Sequence, residues 1–185
     1  MQQYPLQLHP YLRLRGQPQA PLSESEQGYI SWDVRYPVRI APFLTKSSSH
    51  SWTRGRNAPA TWPPTTDIVV MSPALPWVFE VHDSSGVTVG QLMEKLDAEL
   101  HRRIRKDDWP SDQRQARRLA TSYHHNRHEL REPLTEGVQR VDFLCEMTEF
   151  VGLDQGPELL MDQTNVKQYS NTFSLVCESR IRYTS

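Results

Sequence analysis

Apolar and polar positions alternate most legibly between residues 66 and 105. Ile68-Val69-Val70-Met71 and Trp77-Val78-Phe79-Glu80-Val81 are two β-rich runs separated by Ser72-Pro73-Ala74-Leu75-Pro76, which predicts a hairpin. Asp83-Ser84-Ser85-Gly86 supplies turn chemistry after it. Thr88-Val89-Gly90-Gln91 then has the spacing of a capping box, in which hydroxyl and amide satisfy each other's orphan backbone donors. Leu92, Leu96, Leu100 and Ile104 recur every four residues, Val89 and Met93 widen the stripe, and Glu94, Lys95, Glu99, Arg102 and Arg103 lie opposite. An amphipathic helix is predicted there.

The remaining pattern is built around this unit. In Tyr29-Ile30-Ser31-Trp32-Asp33-Val34 the residues Ile30, Trp32 and Val34 share one face, as a half-buried strand requires, and Pro37 limits its length. Residues 45–56, polar around Trp52, read as an exposed loop, and the proline-rich 57–64 as extended chain. A second helix is predicted from 112 to 128, with Ser111 or Asp108 as N-cap and a narrow apolar side of Ala116, Leu119, Ala120 and Tyr123. Val141, Phe143 and Cys145 alternate as in a strand over 138–145, and 150–153 reads as a short pairing segment. Residues 154–170 show no clean period apart from Leu159-Leu160-Met161. Phe173, Leu175, Cys177, Ile181 and Tyr183 form one side of a two-faced final strand.

Together these elements predict one α+β domain over 29–185. Its mostly antiparallel sheet has about four or five strands with two helices on one face, in a β-grasp-like layout. Residues 1–28, rich in Gln, Pro, Ser and Glu, read as a flexible N-terminal arm, with Leu8-His9-Pro10-Tyr11-Leu12 as its pin to the body.

Composition narrows the partners. Lys and Arg number 21 against 22 Asp and Glu, so no whole-chain field draws in a phosphate backbone and nucleic acid is not an expected partner. Hydrophobic residues make up only 37% and prolines number 14, which places irregular structure mainly before Thr66. Cys145 and Cys177 are the two cysteines, too few for a disulfide scaffold and suited to buried thiols in a reducing compartment. No basic patch leads into an apolar stretch after Met1, and no apolar run reaches spanning length. No membrane contact is expected, and the location read from these features is cytoplasmic or nuclear, not secreted.

One cluster has metal-ligand character. His124 and His128 stand one turn apart on the second helix, a spacing at which two imidazoles can hold one zinc, with Glu129 beside them and His101 or His82 as further donors supplied by folding. His125 occupies the place that the H-E-x-x-H motif gives to its Glu, which weakens a hydrolase reading. The bland alternative is a solvated helix end whose histidines suit the negative end of the dipole. A Gly-x-Ser-x-Gly elbow, a phosphate loop and a dinucleotide fingerprint are all missing, and a Cys-His dyad could be assembled only by folding.

Trp32 and Trp77 read as core. Trp52, Trp62 and Trp109, in loops or beside prolines, are the candidate contact rings. Arg102, Arg103, Arg105 and Lys106, followed by Arg114, Arg117 and Arg118, form a basic zone that an acidic partner peptide could use. The favoured reading is a non-enzymatic protein-interaction or scaffold domain with a protein partner and no cofactor. The alternative is a zinc-binding protein, or zinc-dependent hydrolase, built on His124 and His128.

Several phrases carry a family resemblance: Leu8-His9-Pro10, Ser31-Trp32-Asp33-Val34, Pro59-Ala60-Thr61 with Pro63-Pro64, Pro76-Trp77, Gly86-Val87-Thr88-Val89-Gly90, Gly137-Val138, Arg140-Val141-Asp142-Phe143-Leu144 and Phe150-Val151-Gly152-Leu153. In this order, over 8–153, the chain resembles a family of uncharacterised domains of mushroom-forming fungi, known only as a domain of unknown function. The resemblance implies a fungal α+β domain and brings no activity, cofactor or catalytic residue. Cys145 stands where the family pattern has Gly.

Overall fold

The computed structural model describes residues 6–16, 28–46, 48–155 and 171–179. Most of the predicted arm beyond its pin, Leu159-Leu160-Met161, Ile181 and Tyr183 lie outside them. In chain order the strands are β1 (Gln7–Leu8), β2 (Gly28–Ile30), β3 (Pro42–Thr45), β4 (Ser49–Ser51), β5 (Thr61–Trp62), β6 (Asp67–Ser72), β7 (Leu75–His82), β8 (Glu149–Asp154) and β9 (Thr172–Glu178). Helices α1 (Val89–Leu100) and α2 (Gln113–Leu130) fall between β7 and β8.

The predicted hairpin forms. β6 and β7 pair antiparallel, with Ile68 opposite Val81 and Val70 opposite Phe79. β9 returns to lie parallel to β6, and β8 pairs antiparallel with β9, giving the order β7-β6-β9-β8. A hairpin, a helix and a late strand inserted beside the first make this an α+β fold with a β-grasp-like main sheet; the smaller sheets β2-β3-β4 and β1-β5 are antiparallel. On β9, Thr172 and Ser174 are buried together with Phe173, Leu175 and Cys177. The predicted wet face is therefore missing along this stretch, because β9 is an inner strand covered on both sides.

The capping box is present at α1: Thr88 Oγ1 accepts from Gln91 N at 3.2 Å, and Gln91 Oε1 accepts from Thr88 N at 2.8 Å. Leu92, Met93, Leu96 and Leu100 are fully buried, each contributing about 1.5–3 kcal/mol of transfer free energy. α1 lies against β7, whereas α2 packs chiefly against a 3-10 helix, Arg140–Leu144. That short helix replaces the strand predicted over 138–145. Val141 and Leu144 are both buried, and residues three apart eclipse on one side of a 3-10 helix, so the apolar spacing satisfies this period as well. Asp112, one residue beyond the predicted cap, closes α2 by accepting from Gln115 N at 2.8 Å.

The pin of the arm is seated, with Leu8 and Leu12 buried in the core. Arg15 N donates to Val151 O at 2.9 Å and Arg13 bridges to Leu153, so the arm runs along the outer edge of β8. Gly152, at φ 142°, makes this possible: a Cβ there would meet Arg13 O at 2.5 Å. Trp32 O covers the start of the same edge by accepting from Phe150 N at 2.8 Å. The β8 edge is thus occupied by the chain itself and is not open to a partner strand.

Candidate functional site

The second helix is held by a buried polar joint. Its apolar side continues past Leu119 and Tyr123 into Ser122, Asn126 and Arg127, all buried. Asp142, with 0% exposure, receives Asn126 Nδ2 at 2.8 Å, an Arg127 guanidinium nitrogen at 3.3 Å and Gln139 N at 2.8 Å. Arg127 also reaches Glu132 at 2.7 Å, and Tyr123 donates its hydroxyl to Leu134 O. On the other flank Arg140 pairs with Glu99 and lies 4.6 Å over the Trp77 ring, whose edge contact with Phe143 is 4.9 Å between centroids. Residues 140–144 are thereby fixed against α1, α2 and β7.

This fixation presents the next turn to α2. Met147 N donates to Leu144 O at 3.0 Å, and Cys145 sits at φ 55°, ψ −119°. That is the first central position of a type II′ turn, which favours Gly. Facing the turn, α2 offers Gln113, Arg114, Arg117, Arg118, Thr121 and His125, enclosing an open depression of about 630 Å³ with Cys145 and Glu146. A second depression of about 390 Å³ shares Arg118 and Cys145 and continues over Pro73, Pro76, Pro110, Leu119, Phe143 and Met147. The result is one groove with a basic half and an apolar half. Cys145→Gly is expected to stabilise the fold by about 0.5–1 kcal/mol, since relief of the positive-φ cost exceeds the added freedom of the unfolded chain. A urea midpoint unchanged or lowered in the Gly variant would contradict this.

The thiols do not form a dyad. Cys145 donates to Phe143 O at 3.6 Å and not to His125, although both line the groove. Cys177 is pushed up to about 12 by burial, with the charges of Glu149 and Asp33 adding to it, so its nucleophilic thiolate is scarce at neutral pH.

The tryptophans divide. Trp62 is 70% exposed while its backbone is held by pairing with Gln7. Trp109 is also exposed and precedes Pro110 at the apolar half of the groove. Trp52 corrects the exposed-loop expectation: it is 1% exposed, heads the 3-10 helix Trp52–Gly55, and donates Nε1 to Val38 O at 2.6 Å. A lone ring in a polar run serves here as the plug that ties that run to the core.

His124, His128 and Glu129 lie exposed on α2. Among the described residues no three His, Cys, Asp or Glu side chains gather closely enough to hold a metal ion. His101 has both ring nitrogens occupied, by Asp97 and by Arg35 O, and His82 Nδ1 lies 2.6 Å from Asp67. Sequence reasoning missed the Asn126-Arg127-Asp142 joint and the Met147 wall of the groove. The signal for the first was present: Asn126 and Arg127 continue the narrow stripe three and four residues after Tyr123.

These features define an α+β domain with a β-grasp-like sheet and an open groove beside a basic helix. The chain belongs to a family of unknown function (DUF6699), which matches it over residues 30–159, from the end of β2 through β8. No curated protein and no solved structure matches it. Among the described residues no helix is long and apolar enough to cross a membrane.

Proposed function

We propose that the protein is a non-enzymatic protein-interaction domain whose partner lies in the groove between α2 and the 144–147 turn. The observation that carries this reading is the groove itself, lined by arginines along α2 and mainly by apolar side chains beyond Cys145. Its walls are tied together by the buried Asp142 joint. A groove formed before binding loses little freedom when it is filled, so more of the contact energy goes into affinity. Met147 is an exposed large apolar side chain in the apolar half, the kind of surface that anchors a partner. Trp62 offers a second ring at β5, away from the groove's lining.

The test is affinity capture with the wild-type protein, Met147→Arg and Trp62→Ala, each first checked for a native circular dichroism spectrum. Met147→Arg is expected to lose the partners that the wild type retains. An unchanged partner set with the folded Met147→Arg variant would remove the groove, and loss only with Trp62→Ala would move the surface to β5.

A further inference from the structure

We infer that the occupant of this groove is an acidic peptide segment of another protein that carries a large apolar anchor beside its carboxylates. The inference rests on the interaction reading above and concerns the chemistry of the partner.

Among the described residues Arg35, Arg56, Arg102, Arg127 and Arg140 each pair with a carboxylate of the protein. Arg114, Arg117 and Arg118 are exposed and make no ion pair among the described residues, and all three line the basic half of the groove. Spaced three and four apart they repel one another. Arg114 also stands in the first turn of α2, where the helix dipole disfavours cations, and that turn carries no acidic residue beyond the N-cap Asp112. Three guanidinium groups side by side against the single carboxylate of Glu146 in the same depression, in a chain of net charge −1, make a local anion-attracting surface, and the guanidinium fork matches a carboxylate.

Dimensions restrict the ligand further. From Gln113 to His125 the helix rises about 18 Å, which about five or six extended residues span. Arg114 and Arg118 are separated by a rise of about 6 Å, close to the repeat of alternate residues in an extended chain, so carboxylates two apart can meet both. The same peptide then enters the apolar half, where Pro76, Pro110, Phe143 and Met147 suit a Leu or Phe side chain. A nucleic-acid backbone could use the arginines but would gain nothing from that apolar half.

The experiment is fluorescence anisotropy with four labelled probes. The first is a ten-residue peptide with Glu or Asp at alternate positions and a terminal Phe-Leu anchor. The second has Gln for every acid, the third lacks the anchor, and the fourth is a single-stranded oligoribonucleotide. The acidic anchored peptide is expected to bind about tenfold or more tighter than its Gln counterpart, with the preference shrinking as salt rises. The charge reversal R114E/R117E/R118E is expected to abolish that preference. Equal binding of the acidic and Gln peptides, both lost in Met147→Arg, would overturn the acidic occupant while leaving the groove in place. Absence of binding by any peptide overturns the inference, and partner capture that Met147→Arg leaves unchanged would overturn the groove with it. Tighter binding of the oligoribonucleotide than of the acidic peptide would overturn the peptide in favour of nucleic acid.

Discussion

Asp142→Ala is expected to cost about 3–5 kcal/mol, the largest single loss we anticipate in this protein. Asp142 has 0% exposure and Arg127 1%, and Asp142 is the acceptor for Asn126, Arg127 and Gln139 at once. Removing the carboxylate leaves a guanidinium inside the fold with Glu132 as its remaining carboxylate partner, leaves Asn126 Nδ2 with only the long 3.4 Å bond to Ser122 Oγ, and takes from Gln139 N its Asp142 acceptor. Asp142→Asn keeps the shape and part of the hydrogen bonding, so it should fall between wild type and Ala. Urea denaturation measures the loss. Combining Asp142→Ala with Arg127→Met should recover much of it, because the uncompensated charge is then gone. If the double variant is no more stable than Asp142→Ala, the cost lies in packing and not in the buried charge. Because the joint fixes 140–144 against α2, variants that survive should also widen the groove and weaken any peptide bound there.

Local signals in the chain translated well into local structure, and the failures have specific causes. The hairpin and α1 were legible because alternation, turn residues, capping box and helical period all agree over 66–105. The 3-10 helix Arg140–Leu144 was not, because Val141 and Leu144 satisfy its three-residue period while Val141, Phe143 and Cys145 satisfy the two-residue period of a strand. The arginines of the groove were visible as a basic zone. Their setting was not, since it depends on where Asp142, fifteen residues after Arg127, places the next turn. Cys145 stands where the family pattern has Gly, and the physical reason for Gly lies in the fold: the position has a positive φ. Trp52 shows the opposite error, in which a polar neighbourhood suggested exposure for a ring that packs inward from that very stretch.

Stability should fall between about pH 6.5 and 9, and His101 should be the cause. Its ring lies at the C-cap of α1, with Nδ1 2.9 Å from Asp97 O and 3.1 Å from Asp97 Oδ1, and Nε2 3.1 Å from Arg35 O. Burial alone would lower its pKa, but acceptors at both nitrogens and the Asp97 charge outweigh it and raise it from 6.5 to about 9. Arg35, on the loop that supplies the carbonyl, is cationic but is neutralised by Asp33 at 2.6 Å, so it opposes the imidazolium only weakly. In the unfolded chain the imidazole loses its proton near its ordinary value of 6.5. Below that pH both states hold the proton, and the interaction contributes in full. Between the two values only the folded state holds it, so stability drops by about 1.4 kcal/mol per pH unit. Above the folded value the contribution, roughly 3 kcal/mol in all, is gone. Urea midpoints measured across this range for wild type and His101→Gln isolate the effect from other groups that titrate there. The wild-type curve should slope downward and the His101→Gln curve should be nearly level, starting below wild type at pH 6 and meeting it above pH 9. Parallel curves would mean that the imidazolium does not hold the end of α1 to the Arg35 loop.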